Sequence, residues 1–204
     1  MIEAGTRENV KWDGGNWVFL DIGFSHEMQT CGLLVGNGDP SCIRFGEAEE
    51  AIVSRAKQSL SPMNLVIEAP LFVCFDCRGN PKGRFIIERD ENRTRYWYTG
   101  AGCAVMVAAM YMIRRLYNEC PLASVRLFEG FVSYKDRSGP SDHGADVRLL
   151  REVVRHPDRN CIISPEQLKN DQSDNDNLND NLVSAFSVAG IDCGVPVVLK
   201  PVKC

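Results

Sequence analysis

Residues 16–24, NWVFLDIGF, form an apolar run of strand length with an aspartate, Asp21, set inside it. Aromatic and β-branched residues dominate the run, and it is too short for an ordinary helix, so it reads as a buried strand. A carboxylate within such a strand costs several kcal/mol unless its charge is compensated. The chain must therefore build a sheet that brings a partner to Asp21.

Further strand signals follow at once. TCGLLVGN (30–37) reads as a second strand, GNGDP as a turn and CIRFG (42–46) as a short third strand, which together suggest an antiparallel meander. EAEEAIVSRAKQSL then has helical spacing, with Ala51, Ile52, Ala56 and Leu60 on or near one face and acids in its first turn. MNLVIEAP is a fourth strand, stopped by Pro70. FDCRGNPKGRFIIERDENRTRYWYTG is polar and rich in turn residues, and reads as an excursion from the core. A long helix over 101–118, a fifth strand in SVRLFEGFV and a helix from Ala145 to Arg155 come next. In the tail, Leu178, Leu182, Ala185, Phe186 and Ala189 repeat at helical spacing and predict an amphipathic helix. The expected architecture is α/β: a mixed five-stranded sheet, three antiparallel strands then helix-linked parallel strands, flanked by helices.

A chain of 204 residues suits one domain with a single core, taken as 1–204. Its 23 Lys and Arg against 27 Asp and Glu give a formal net charge of -4, which argues against binding driven mainly by phosphate neutralisation but leaves room for a local basic groove. The first residues lack the apolar core of a signal peptide, and the apolar stretch GAGCAVMVAAMYMI is too short to span a bilayer. The expectation is a soluble, cytoplasmic protein without a membrane partner. Nine cysteines, an odd number, with no export signal, suit reduced thiols.

Two more acids share the odd placement of Asp21. Glu68 ends the strand of NLVIEAP, and Glu129 lies within VRLFEGFV. Clustered acids repel one another and raise their own pKa values unless a cation neutralises them, and Mg²⁺ or Mn²⁺ suits oxygen ligands. Asp176 and Asp180 lie four apart in the tail, on a face shared with Ser184, where they form either a solvated side or a further pair of ligands.

FLDIGFS, LVIEAP and DNLVSAF together resemble the RNase H-like superfamily, specifically RuvC-type resolvases and related predicted nucleases. IEAPLFVCFDCRG and LFEGFVS resemble further segments of the predicted-nuclease group. In that superfamily an aspartate lies on the first strand, an acid ends the fourth and one or two acids open a C-terminal helix. The resemblance implies that Asp21, Glu68 and Asp180 hold metal, with Glu129 and Asp176 as further contributors. Asn177 stands where the family commonly has a second helix acid. The implied activity is two-metal hydrolysis of phosphodiester bonds in DNA or RNA. Two rivals stand beside it: a catalytically degenerate member acting in interaction or assembly, through a protein partner or as a homodimer, and a hydrolase of a small nucleotide.

RTRYWYTG interleaves Arg95 and Trp97 with other cations and rings, a pattern suited to single-strand contact or to an edge strand. Arg78, Lys82 and Arg84 follow Glu68 closely and would place a substrate phosphate beside the metal, or form a solvated loop. Cys74 and Cys77 make a C-x-x-C with no second pair, which suits buried thiols better than zinc. His143 lies near a helix start as a base or a loop histidine, and His26 closely follows the first strand.

Overall fold

The structure is a computed structural model that describes residues 1–12, 16–23, 29–90, 93–94, 101–132, 142–158, 160–169 and 181–201. In chain order the strands and helices are β1 (Ile2–Ala4), β2 (Asn16–Ile22), β3 (Cys31–Val35), β4 (Ser41–Ile43), α1 (Phe45–Gln58), β5 (Met63–Glu68), β6 (Phe72–Phe75) and β7 (Pro81–Lys82). They continue with α2 (Phe85–Glu88), β8 (Arg89–Asp90), β9 (Arg93–Thr94), α3 (Ala101–Glu119), β10 (Val125–Gly130) and α4 (His143–Arg155). The last are β11 (Ile162–Ile163), α5 (Pro165–Lys169), β12 (Asn181–Ser184), α6 (Ala185–Val188) and β13 (Val198–Leu199).

The main sheet runs β11-β13-β10-β5-β2-β3-β4, with β1 also paired to β10. β2, β3 and β4 are antiparallel neighbours, whereas β5 and β10 run parallel to β2. The central strands are buried on both faces, which is why they read as near-continuous apolar runs. Val18, Leu20, Leu65, Ile67 and Leu127 face α1 and α3. Trp17, Phe19, Val66 and Phe128 face the opposite layer, built by Val147, Leu150, Val153 and Val154 of α4. The molecule is thus a mixed sheet between two helical layers, and no helix among the described residues is long and apolar enough to cross a membrane.

Four expectations need correction. The sheet is wider than five strands, because β1, β11 and β13 extend it beyond β10. These strands are two or three residues long and carry too few side chains to show a period in sequence. In the tail, residues 181–184 are a strand antiparallel to β6, with Leu182 opposite Cys74, and the helix starts only at Ala185. Leu182 and Ser184 are buried in alternation. The hydrogen-bonding edge of β6 has overridden a helical spacing that four residues cannot distinguish from a strand's.

The polar excursion also returns to the core. Ile87, in α2, is buried in a third cluster with Phe72 and Cys74 of β6 and with Phe131, Leu168, Leu182 and Val198. Finally, Ala51 and Leu60 are exposed, Leu60 because α1 ends at Gln58, and the buried face of that helix is Ala48, Glu49, Ile52, Val53 and Ala56.

Candidate metal centre

Asp21 lies near the C-terminal end of β2, fully buried, in register with Glu68 at the end of the parallel strand β5. Paired residues on neighbouring strands point to the same face, so Glu68 shares the face of Asp21, although its carboxylate is not among the donor atoms that converge there. That face is the one covered by α4, since Trp17 and Phe19 precede Asp21 on it at a period of two.

α4 brings the rest of the site. Asp142 caps it, its Oδ1 accepting from the Ala145 amide at 2.9 Å, so the helix starts with a satisfied amide. The buried stripe Val147, Leu150 and Val154 points at the sheet, and its extension one turn back falls on His143 and Asp146. His143 Nδ1 lies 2.6 Å from Asp21 Oδ2. Donor atoms of Asp21, His143 and Asp146 all lie within 4.8 Å of one another, with Asp21 and Asp146 buried and His143 half-buried. The positive end of the α4 dipole adds a favourable field for these acids. Cys31, next along the sheet, has its thiol pushed up by burial, with a further push from the Asp21 charge.

Two glycines make this approach possible. A Cβ on Gly32 of β3, which pairs with Asp21, would collide with the His143 carbonyl oxygen, and one on Gly23 would collide with the Thr30 carbonyl and stand 2.7 Å from His143 Nε2. The start of α4 therefore sits directly on the strand backbone. Gly32→Ala is expected to lift that helix end, lower stability by about 1–3 kcal/mol and weaken cation binding. Thermal melts and a Mn²⁺ titration check this, and an unchanged melt would refute the seat.

The donor set suits a divalent ion. Ligands on an ion with bonds of about 2.1 Å lie at most about 4.2 Å apart, so the cluster needs only a small contraction. Two carboxylates and an imidazole favour a borderline ion such as Mn²⁺ over Mg²⁺, which prefers oxygen alone.

The structure sends other candidates elsewhere. Glu129 pairs in register with Ile67, so it faces the layer opposite Asp21 and Glu68 and is not brought to the cluster. Instead it binds Arg84, whose Nη1 donates to both Glu129 oxygens at 2.8 and 3.0 Å. Arg84 also donates from Nε to Glu88 at 3.0 Å and lies 4.5 Å above the Phe72 ring. It is buried among these groups and does not present a cation to a substrate. One guanidinium thus serves two buried carboxylates. Burial is the main cause that pushes Glu129 up to about 7, with Arg84 opposing and the Glu88 charge adding to the rise. Arg84 itself is raised: burial works against its charge, but the two carboxylates outweigh it.

Arg78 is exposed and Lys82 half-buried on the β6–β7 hairpin, whose turn is tied by Asp76 accepting from the Arg78 and Asn80 amides. Cys74 is buried and Cys77 exposed. Asp176, Asp180, Arg95, Trp97 and His26 lie outside the described residues. Sequence reasoning singled out His143 without a partner and passed over Asp146. The available signal was their i, i+3 spacing at the start of the most amphipathic helix, on the same side as Val147 and Leu150. No protein-family model matches this chain, and no curated protein and no solved structure matches it either.

Proposed function

We propose that the protein is an RNase H-like, divalent-metal-dependent nuclease whose centre is Asp21, Glu68, His143 and Asp146. The observation that carries this reading is the convergence of Asp21, His143 and Asp146, with Glu68 in register beside Asp21. The sheet supports it too: three antiparallel strands are followed by helix-linked strands parallel to the first, the arrangement implied by the resemblance. In this reading α4, which follows the fifth strand of that series, supplies the helix ligands, His143 and Asp146 in place of an acid pair.

A bound divalent ion would supply an activated water and neutralise charge on the scissile phosphate. The chain's part is positional. Asp21 and Glu68 are fixed by strand pairing, and His143 and Asp146 by one helical turn. With Nδ1–H donated to Asp21, His143 keeps a lone pair on Nε2 as a ligand or proton acceptor. Exposed Arg78 and half-buried Lys82, on the hairpin after Glu68, are the cations nearest in sequence that would meet a phosphate backbone.

Cleavage assays with Mn²⁺ and Mg²⁺ on branched, duplex and single-stranded DNA and RNA, with nucleoside triphosphates alongside, test the proposal. Metal-dependent cleavage of a polynucleotide, stronger with Mn²⁺, is expected. Turnover of the small nucleotides alone would select the nucleotide-hydrolase rival, and no turnover with any substrate would select the interaction protein.

A further inference from the structure

The Arg84 cluster stands apart from the metal centre yet reaches the chain beside it. Glu129 Oε2 accepts from the Leu71 amide at 2.9 Å, and Leu71 lies three residues beyond Glu68. Between them Ala69 donates its amide to the Ile67 carbonyl at 2.9 Å, closing a tight turn around Glu68. The Leu71 carbonyl in turn accepts from the Ala185 amide at 2.9 Å. The exit of β5 is thus held on one side by a buried carboxylate and on the other by β12 and α6. A buried ion pair with an extra acid is a poor way to gain stability, since apolar residues of the same volume often do as well. Such a group is better explained by what it holds in place.

We propose that Glu129, gripped by Arg84, is a positioning residue for Glu68: by fixing the Leu71 amide it sets the turn after β5 and hence where the Glu68 carboxylate stands. The proposal rests on the reading of Asp21, Glu68, His143 and Asp146 as a cation site. Groups that hold a ligand in place commonly cost about 10–100-fold in metal affinity when removed. Acting through the backbone, Glu129 belongs at the lower end of that range.

The test is calorimetric titration of the full chain with Mn²⁺. Glu129→Ala is expected to weaken binding about tenfold, and Glu129→Gln, which keeps an oxygen for the Leu71 amide, to recover most of the loss. A folded Glu129→Ala protein with wild-type affinity overturns the proposal, as does a Glu129→Gln protein as weak as Glu129→Ala. Should Glu129→Ala fail to fold, Arg84→Lys carries the test. It keeps the charge but cannot hold Glu129 and Glu88 from separate nitrogens as the guanidinium does, so weaker binding is expected and wild-type affinity overturns the proposal. Asp21→Asn separates the two levels. If it binds Mn²⁺ as well as the wild type, the site reading itself fails; if it loses the ion while Glu129→Ala does not, only the positioning role is lost.

Discussion

Asp21→Asn is expected to abolish both Mn²⁺ binding and metal-dependent cleavage while leaving the fold intact. Asparagine keeps the shape of the side chain and an oxygen that still accepts from His143 Nδ1. What it removes is one negative charge from the cluster with Asp146. The loss of activity should exceed the roughly hundredfold that follows when a group merely bonded to a ligand is removed. Stability without metal should stay equal or rise, because repulsion among the acids is relieved. A ligand at a hundred times its Kd stabilises by about 2.7 kcal/mol, which for a chain of this size is a melting shift of about 5–10 °C. The wild type should show that shift with Mn²⁺ and Asp21→Asn should not. Equal shifts in the two proteins would move the ion to another place.

The second large effect is on the pH dependence of stability. Glu129 is raised from the ordinary 4.5 to about 7, chiefly by burial, and the charged groups bonded to its cluster are Arg84 and Glu88. A carboxyl raised on folding binds its proton more tightly in the native state. Its contribution is complete below about pH 4.5 and is lost as pH rises through about 7. The shift corresponds to on the order of 3 kcal/mol. Chemical denaturation at pH 5 and pH 7.5 should therefore show the wild type losing more stability over that interval than Glu129→Gln, which has no proton to lose there. Parallel pH profiles would mean that Glu129 is ionised throughout.

Much of the frame was legible because burial on both faces leaves long apolar runs. β2, β3, β5 and β10 announce themselves in this way, and so do the two acids that end apolar strands. Half the candidate site was visible for the same reason: a charge at Asp21 or Glu68 has no place in an apolar run without a partner. His143 and Asp146 were harder to see, because polar residues at the start of a helix ordinarily cap it or face water. Only the seating of α4 on Gly32 turns them inward. Glu129 shows the opposite failure. Its placement in a strand looked like that of Glu68, but one step of register sends it to the other face, and its counter-charge is Arg84, distant in sequence. The tail strand β12 was illegible locally, since its conformation is imposed by the edge of β6.

The strand position beside β10 is filled end to end by two pieces from opposite ends of the described chain. β1 pairs with Val125–Leu127, and β13 pairs with Glu129 and Gly130. The pieces are also stitched to each other's flanks, Ala4 N–H to Cys193 C=O and Val197 N–H to Gly5 C=O. Closing loops of this length costs chain entropy before any contact repays it. Such a seam is slow to form, so the delay falls on the rate of folding rather than on the depth of the native minimum. β10 is sealed on this side only when β1 and β13, made at widely separated times, are both in place. A nascent chain therefore carries an open edge on β10 from the time Gly130 is made until Val198 and Leu199 follow, the kind of exposed template to which other strands add.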